Sequence, residues 1–212
     1  MKMKSSKSGK LKAHMSKIML NLNILSIFSG DYTLKMHGRE ISRLSNTGQR
    51  TTSNYLKFLE KEKILVSEIK GRTKDYSLNL NNESVKHLLV MAEEFRTIKF
   101  IESKYGIKDF FASVSDLING FIIVFGSYAK NQADKQSDLD VLIIGSYNKE
   151  KFKKIANRYP YKLHLINMTK AEFIKGIRKK DNFSVEVIKH HIIIKGHNMI
   201  INHFWRFYNG RY

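Results

Sequence analysis

Apolar residues at Ile18, Leu22, Leu25 and Phe28 recur at helical spacing and predict a first helix from Ser16, stopped by Ser29-Gly30-Asp31. Tyr32–Met36 reads as a short strand, His37-Gly38 as a turn, and Arg39–Leu44 as a short helix with Ile41 and Leu44 inward. After the turn Asn46-Thr47-Gly48, Gln49–Glu62 is a longer helix facing the core through Tyr55, Leu56 and Leu59. Ile64–Ile69 and Asp75–Leu80 are strands joined at Lys70-Gly71-Arg72-Thr73, where the glycine supplies hairpin chemistry.

Asn81–Tyr105 is a helical stretch in which Val85, Leu88, Leu89, Ala92, Phe95, Ile98 and Ile101 keep the period over several turns. It either packs on its own chain or pairs with its copy in a second subunit. Beyond it, Asp109–Asn119 reads as a helix. Gly120–Phe125, Leu139–Ile144 and Lys162–Asn167 read as strands, and Lys149–Arg158 and Thr169–Lys179 as helices. Val185–Gly196 fits a helix or a strand. Met199–Phe207 closes the chain as a helix anchored by Phe204 and Trp205. The fold class is α+β, with a basic flexible tail over 1–15, a first domain over 16–82, a linker helix over 83–104, and a second domain over 105–212 built on a small mixed sheet flanked by helices.

Composition narrows the chemistry. The 212 residues include no cysteine, which excludes disulfides and thiolate metal sites and points to the reducing cytoplasm. No apolar run is long enough to cross a bilayer, so no membrane partner is expected. Asn21, Asn23 and Ser26 interrupt Ile18–Phe28, which is a helix of a globular domain and not a signal segment. A net charge of +19, with a Lys/Ser-rich start, makes nucleic acid the first partner to consider; a uniformly basic proteome would give the same sum.

The order helix, strand, helix, turn, helix, hairpin over 16–82 resembles a winged helix-turn-helix. That resemblance implies double-stranded DNA as a partner, with the second helix of the pair entering the major groove. Gln49, Arg50, Thr51, Ser53, Asn54 and Lys57 are its outward residues, able to meet base edges and phosphates. Lys70, Arg72 and Lys74 at the hairpin tip suit the backbone or minor groove. A homodimer would read a two-fold site. The same fold also serves as a plain protein-contact module.

The densest chemistry lies in Phe121–Gly145, FIIVFGSYAKNQADKQSDLDVLIIG. An apolar strand ends in Gly126-Ser127, a polar segment of about one helix length follows, and a second strand carries Asp138 and Asp140. Alternate strand residues share a face, so both carboxylates project the same way. Two acids beside a Gly-Ser turn suit a divalent metal held against a nucleoside triphosphate. Gly126-Ser127-Tyr128-Ala129 followed by Ser137-Asp138-Leu139-Asp140 resembles the signature of the polymerase-beta-like and minimal nucleotidyltransferases. The resemblance implies Mg²⁺ or Mn²⁺ on Asp138 and Asp140 as the catalytic pair, NTP phosphates at Gly126 and Ser127, and transfer of a nucleoside monophosphate to an acceptor. Lys130 and Lys135 either neutralise the triphosphate or are solvated charges. His190-His191 has no partners at metal spacing.

The chain departs from the pattern twice. Asn131 stands where the family has glycine; asparagine tolerates left-handed backbone. The third carboxylate of active members falls on His164, and imidazole is a poor Mg²⁺ ligand. Asp134, Asp181 and Glu186 are the acids that could substitute through the fold. Three functions stay open: a metal-dependent nucleotidyltransferase coupled to a DNA-binding module, a transcriptional regulator whose nucleotidyltransferase domain binds nucleotide but turns over weakly or not at all, and one half of a toxin–antitoxin pair.

Overall fold

The computed structural model describes residues 16–104, 106–134 and 136–211. The expected tail over 1–15, and Tyr105 and Lys135, lie outside the described residues. The chain divides into two compact units, with the boundary between Ala92 and Glu93.

The first unit begins with helix α1 (16–26). It continues through β1 (Met36–His37), α2 (Gly38–Leu44), α3 (Gln49–Lys61), β2 (Leu65–Lys70) and β3 (Thr73–Leu78). The three strands form an antiparallel sheet in the order β1-β3-β2. Ile24, Leu25 and Phe28 of the first segment, Ile41 of α2, and Leu56 and Leu59 of α3 are buried, as the helical period requires. Leu44, expected inward, is instead half exposed.

The strand expected over Tyr32–Met36 is reduced to two residues. Asp31 is the cause: its carboxylate accepts from the Thr33 amide (2.8 Å) and the Thr33 hydroxyl (2.6 Å), folding the segment into a turn. His37 is not a turn residue but the N-cap of α2, accepting from the Arg39 amide through Nδ1 at 3.1 Å. In the hairpin, Lys70 pairs with Thr73, so the connection is Gly71-Arg72 alone, with Gly71 at φ +60°.

Helix α4 (Glu83–Ser103) spans the boundary in sequence. The second unit continues with α5 (Ile107–Ser115), β4 (Ile118–Phe125), α6 (Gly126–Ala129), β5 (Leu139–Tyr147), α7 (Lys149–Ala156), β6 (Leu163–Met168), α8 (Lys170–Lys179), α9 (Asn182–Lys189), β7 (Ile192–Lys195) and α10 (His197–Tyr208). Its mixed sheet has the order β6-β5-β4-β7; β5 and β6 are parallel, and the other pairs antiparallel.

Alternation along the strands sends Ile122, Val124, Val141 and Ile143 to one face, where they pack with Phe110, Phe111 and Val114 of α5 and Phe152 of α7. The opposite set, including Ile123, Leu142 and Ile144, is equally buried, and Phe125 stacks edge-on against Phe183 of α9. Both faces are therefore covered, which explains the near-continuous apolar runs of β4 and β5.

In the second unit, three assignments are refined by the structure. The helix expected over Asp109–Asn119 ends at Ser115, because Ile118 and Asn119 pair with Tyr147 and Ser146 and extend β4. The polar segment after Gly126 holds a single helical turn and then loop. Val185–Gly196 contains both alternatives: α9 ends at Lys189, and Ile192–Lys195 adds β7 beside β4. Capping sets the C-terminal helices. Thr169 and Glu172 form a reciprocal capping box on α8, and Asp181 accepts from the Ser184 amide at the start of α9.

The second half of α4 holds the β7 edge through a buried polar network. Glu93 is fully buried, and Arg96 Nη1 donates to both of its oxygens at 2.8 Å. Arg96 Nη2 donates to the His191 carbonyl at 2.7 Å, and Thr97 Oγ1 donates to the Ile193 carbonyl. His191 Nε2 lies 3.3 Å from Glu93, and His197 Nδ1 lies 3.0 Å from Glu94. A buried carboxylate is tolerated because its charge is paired and bonded.

Burial is the first cause holding the imidazoles of His190, His197 and His203 below their ordinary value of 6.5. For His203, Lys170, Arg206 and Arg178 add to it; for His197, Glu94 and Glu93 oppose it. A histidine pKa lowered by folding means that the unfolded chain binds the extra proton first. Its contribution to stability is full above about pH 6.5 and is lost as pH falls toward the folded value. Melting temperature should therefore decline from pH 7.5 to pH 5.5, and His203→Gln should flatten that decline in calorimetric scans.

Candidate active site

The site forms where three strands end together. Antiparallel register places Phe125, the last residue of β4, opposite Asp140 of β5. Gly126 follows at φ +67°, and a Cβ built there would run into the Asp140 carboxylate. Glycine is thus required twice, by the left-handed backbone and by the acid beside it. Ser127 is half-buried in the first turn of α6. The N-cap of α6 is Phe125, with no side-chain cap hydrogen bond. Four residues make a weak dipole, and what the turn offers an anion is its hydroxyl and nearby amides.

Asp138 precedes β5 and Asp140 lies within it, both partly exposed on one face. Parallel pairing sets His164 of β6 beside Asp140, and His164 Nδ1 is 2.8 Å from Asp140 Oδ1. Lys162, two residues earlier and on the same face, holds Asp138 at 2.9 Å. Each carboxylate therefore faces a basic side chain. Sequence reasoning missed Lys162, although alternation along the expected strand Lys162–Asn167 places it on the face of His164.

The connecting loop keeps its shape by local bonds. Asn131 adopts φ +56°, a left-handed conformation. The Gln132 amide closes back onto the Ser127 carbonyl at 2.9 Å. Ser137 donates to Asp134 at 2.8 Å and accepts from its amide at 2.9 Å, so it builds the turn that delivers Asp138. That bond is the first cause of a lowered Asp134 pKa. Lys130 pairs with Glu186 across to α9 at 2.5 Å, and that bond is the first cause holding the half-buried carboxylate low.

The three acids that could have replaced a third carboxylate are otherwise engaged: Asp134 in its turn, Asp181 as a helix cap and Glu186 with Lys130. Among the described residues, no group of three or more His, Cys, Asp or Glu could hold a metal ion. The donor set still fits one hard cation: two carboxylates on one face, with phosphate oxygens and water completing the shell. The imidazole at the third position does not fit a second Mg²⁺.

In the first unit, Gln49, Arg50, Thr51, Ser53, Asn54 and Lys57 lie along α3, but they do not form one stripe. Arg50, Asn54 and Lys57 share the outward face with Lys61. Gln49 and Ser53 turn toward a cleft with His37, Arg39 and Tyr76, whereas Thr51 lines another with Ile18, Tyr55 and Phe58, which Asn54 also borders. Lys70 and Arg72 are exposed at the hairpin tip. Lys74 is drawn back onto Glu60 at 2.7 Å, which raises the lysine pKa and lowers that of the acid. It is not an open phosphate donor.

Comparison with known proteins agrees with the second unit. The nucleotidyltransferase domain family matches residues 104–196, and the chain belongs to that family. A relative from Methanocaldococcus jannaschii, which carries the name putative protein adenylyltransferase, is 33% identical over 96 residues, covering 38% of this chain and 94% of its own. No solved structure gives a match.

Two substitutions test the geometry. Gly126→Ala should cost about 1–3 kcal/mol in urea unfolding, from the strained backbone, and displace Asp140. His164→Asp should place a third oxygen donor beside Asp140 and tighten Mn²⁺ binding in calorimetry, while unchanged affinity would show that the two acids alone set it.

Proposed function

We propose that this chain transfers a nucleoside monophosphate from an NTP to a hydroxyl acceptor, and that its first unit is a winged helix that carries the enzyme to duplex DNA. The observation behind the first part is the convergence of Gly126, Ser127, Asp138 and Asp140 at one end of the sheet, on a segment that matches the family. Gly126 leaves room for a phosphate against the backbone, and Ser127 offers a hydroxyl donor. Asp138 and Asp140 would hold Mg²⁺ or Mn²⁺, which supplies charge neutralisation for the triphosphate. Lys162 and His164, drawn onto these acids, orient them.

The acceptor oxygen attacks the α-phosphorus and forms the new P–O bond as the bond to the β-phosphate bridge breaks. Pyrophosphate departs and the hydroxyl proton passes to water. Positioning and charge stabilisation carry most of such a reaction. The name of the archaeal relative favours a protein hydroxyl as acceptor and adenylate as the transferred group.

The DNA part rests on the element order of the first unit and on the Arg50, Asn54, Lys57 and Lys61 stripe of α3. Paired copies would present two such helices to a two-fold site. A second reading, a regulator that binds nucleotide with little turnover, is favoured by His164 at the third position.

Incubation with radiolabelled ATP and Mg²⁺ should label an acceptor or the chain itself, and Asp138→Ala with Asp140→Ala should abolish the label. Tight ATP binding without label in Mg²⁺ or Mn²⁺ would favour the regulator. Arg50→Ala and Lys57→Ala should each weaken duplex binding and lower the salt slope by about 1. Unchanged affinity in both would remove α3 as the DNA-reading element.

A further inference from the structure

The two edges of the catalytic sheet differ. At β7, the side chains of Arg96 and Thr97 bond to the carbonyls of His191 and Ile193, so α4 occupies that edge. At the other end β6 pairs with β5 alone among the described residues. The Lys162 carbonyl accepts from the Leu139 amide. Alternation then turns the backbone groups of Leu163, Leu165 and Asn167 outward, as unpaired donors and acceptors. The six residues of β6 contain no proline, the usual guard of such an edge.

The two faces of this edge have different chemistry. His164 lies on the face of Asp140, one strand spacing from it. On the opposite face, Leu163 and Leu165 border a cleft of about 600 Å³ lined also by Tyr147, Phe152, Ala156, Asn157, Tyr159 and Tyr161. Exposed Lys149 and Lys153 stand at its rim.

We infer that the β6 edge is the acceptor-docking site, where an extended, acidic peptide segment adds as a fifth strand. The inference rests on the reading of the site as a nucleotidyl transferase to protein hydroxyls. Main-chain bonds to Leu163, Leu165 and Asn167 supply affinity. Because strand side chains alternate, a hydroxyl residue set beside His164 faces the acids, and its two neighbours enter the apolar cleft. The substrate pattern is therefore apolar–hydroxyl–apolar with acidic flanks. Charge selects this occupant over a second copy of the chain, because lysines rim the edge and the net charge is +19.

The test uses the full chain and a synthetic peptide of alternating valine and threonine with glutamates at both ends, beside a twin N-methylated at alternate amides. The peptide should slow amide exchange at Leu163, Leu165 and Asn167 by about tenfold or more, and the twin should bind about tenfold or more weaker. Leu165→Pro removes an outward donor without touching the ladder to β5; it should abolish peptide binding while ATP binding persists. Equal binding of peptide and twin, or no protection on β6, would overturn the proposal even if ATP labels the chain. Protection of β6 without peptide that rises with protein concentration would assign the edge to a second copy and also overturn it. The exchange measurement needs no turnover. A chain that fails to consume ATP would refute the transfer reading, whereas peptide protection of β6, present or absent, decides the docking edge by itself.

Discussion

The contact on which the second unit's chemistry depends is that between Gly126 and Asp140. The antiparallel register of β4 and β5 brings them together, and each limits the other. A side chain on residue 126 would push the carboxylate away, and a slip of one residue would turn Asp140 to the opposite face. The apolar residues around them are buried on both sides of the sheet, so the register is held by packing on two faces. A small polar site is thus fixed by a large apolar core, which is how a few groups can be held to the tolerance that phosphoryl chemistry requires.

The same sheet separates its tasks by edge. One margin is closed by a buried ion pair and hydroxyl from α4, where an unpartnered carboxylate would be costly. The other is left open beside the acids. His164 and Lys162 occupy the face between, holding Asp140 and Asp138 in the positions that a cation would otherwise have to organise. The His164 imidazole supplies no oxygen donor but lies against Asp140, so the acid couple stays oriented.

Much of this was legible from residue pattern. The apolar runs of β4 and β5, the Gly-Ser turn and the acids two positions apart mark a candidate site without coordinates, and the fold brings these residues to one end of the sheet. Asn131 also read correctly as a residue able to replace glycine in left-handed backbone. What failed were boundaries set by competing hydrogen bonds. Asp31 folded a predicted strand into a turn, and the β4–β5 pairing claimed two residues from the end of a predicted helix. Lys74 looked like an open cation until the fold brought Glu60 beside it.

The sequence alone determined most of the helical and extended segments and their apolar faces, and it nominated the side chains proposed to meet a triphosphate, since these follow from spacing and side-chain chemistry within a few residues. Tertiary structure decided what lies beside what. It paired His164 with Asp140 and Lys162 with Asp138, sent Gln49 and Thr51 to different clefts, covered one edge of the sheet and left the other open. Strand order and register are relations between segments far apart in the chain, set by how their apolar faces pack, and local pattern does not carry them.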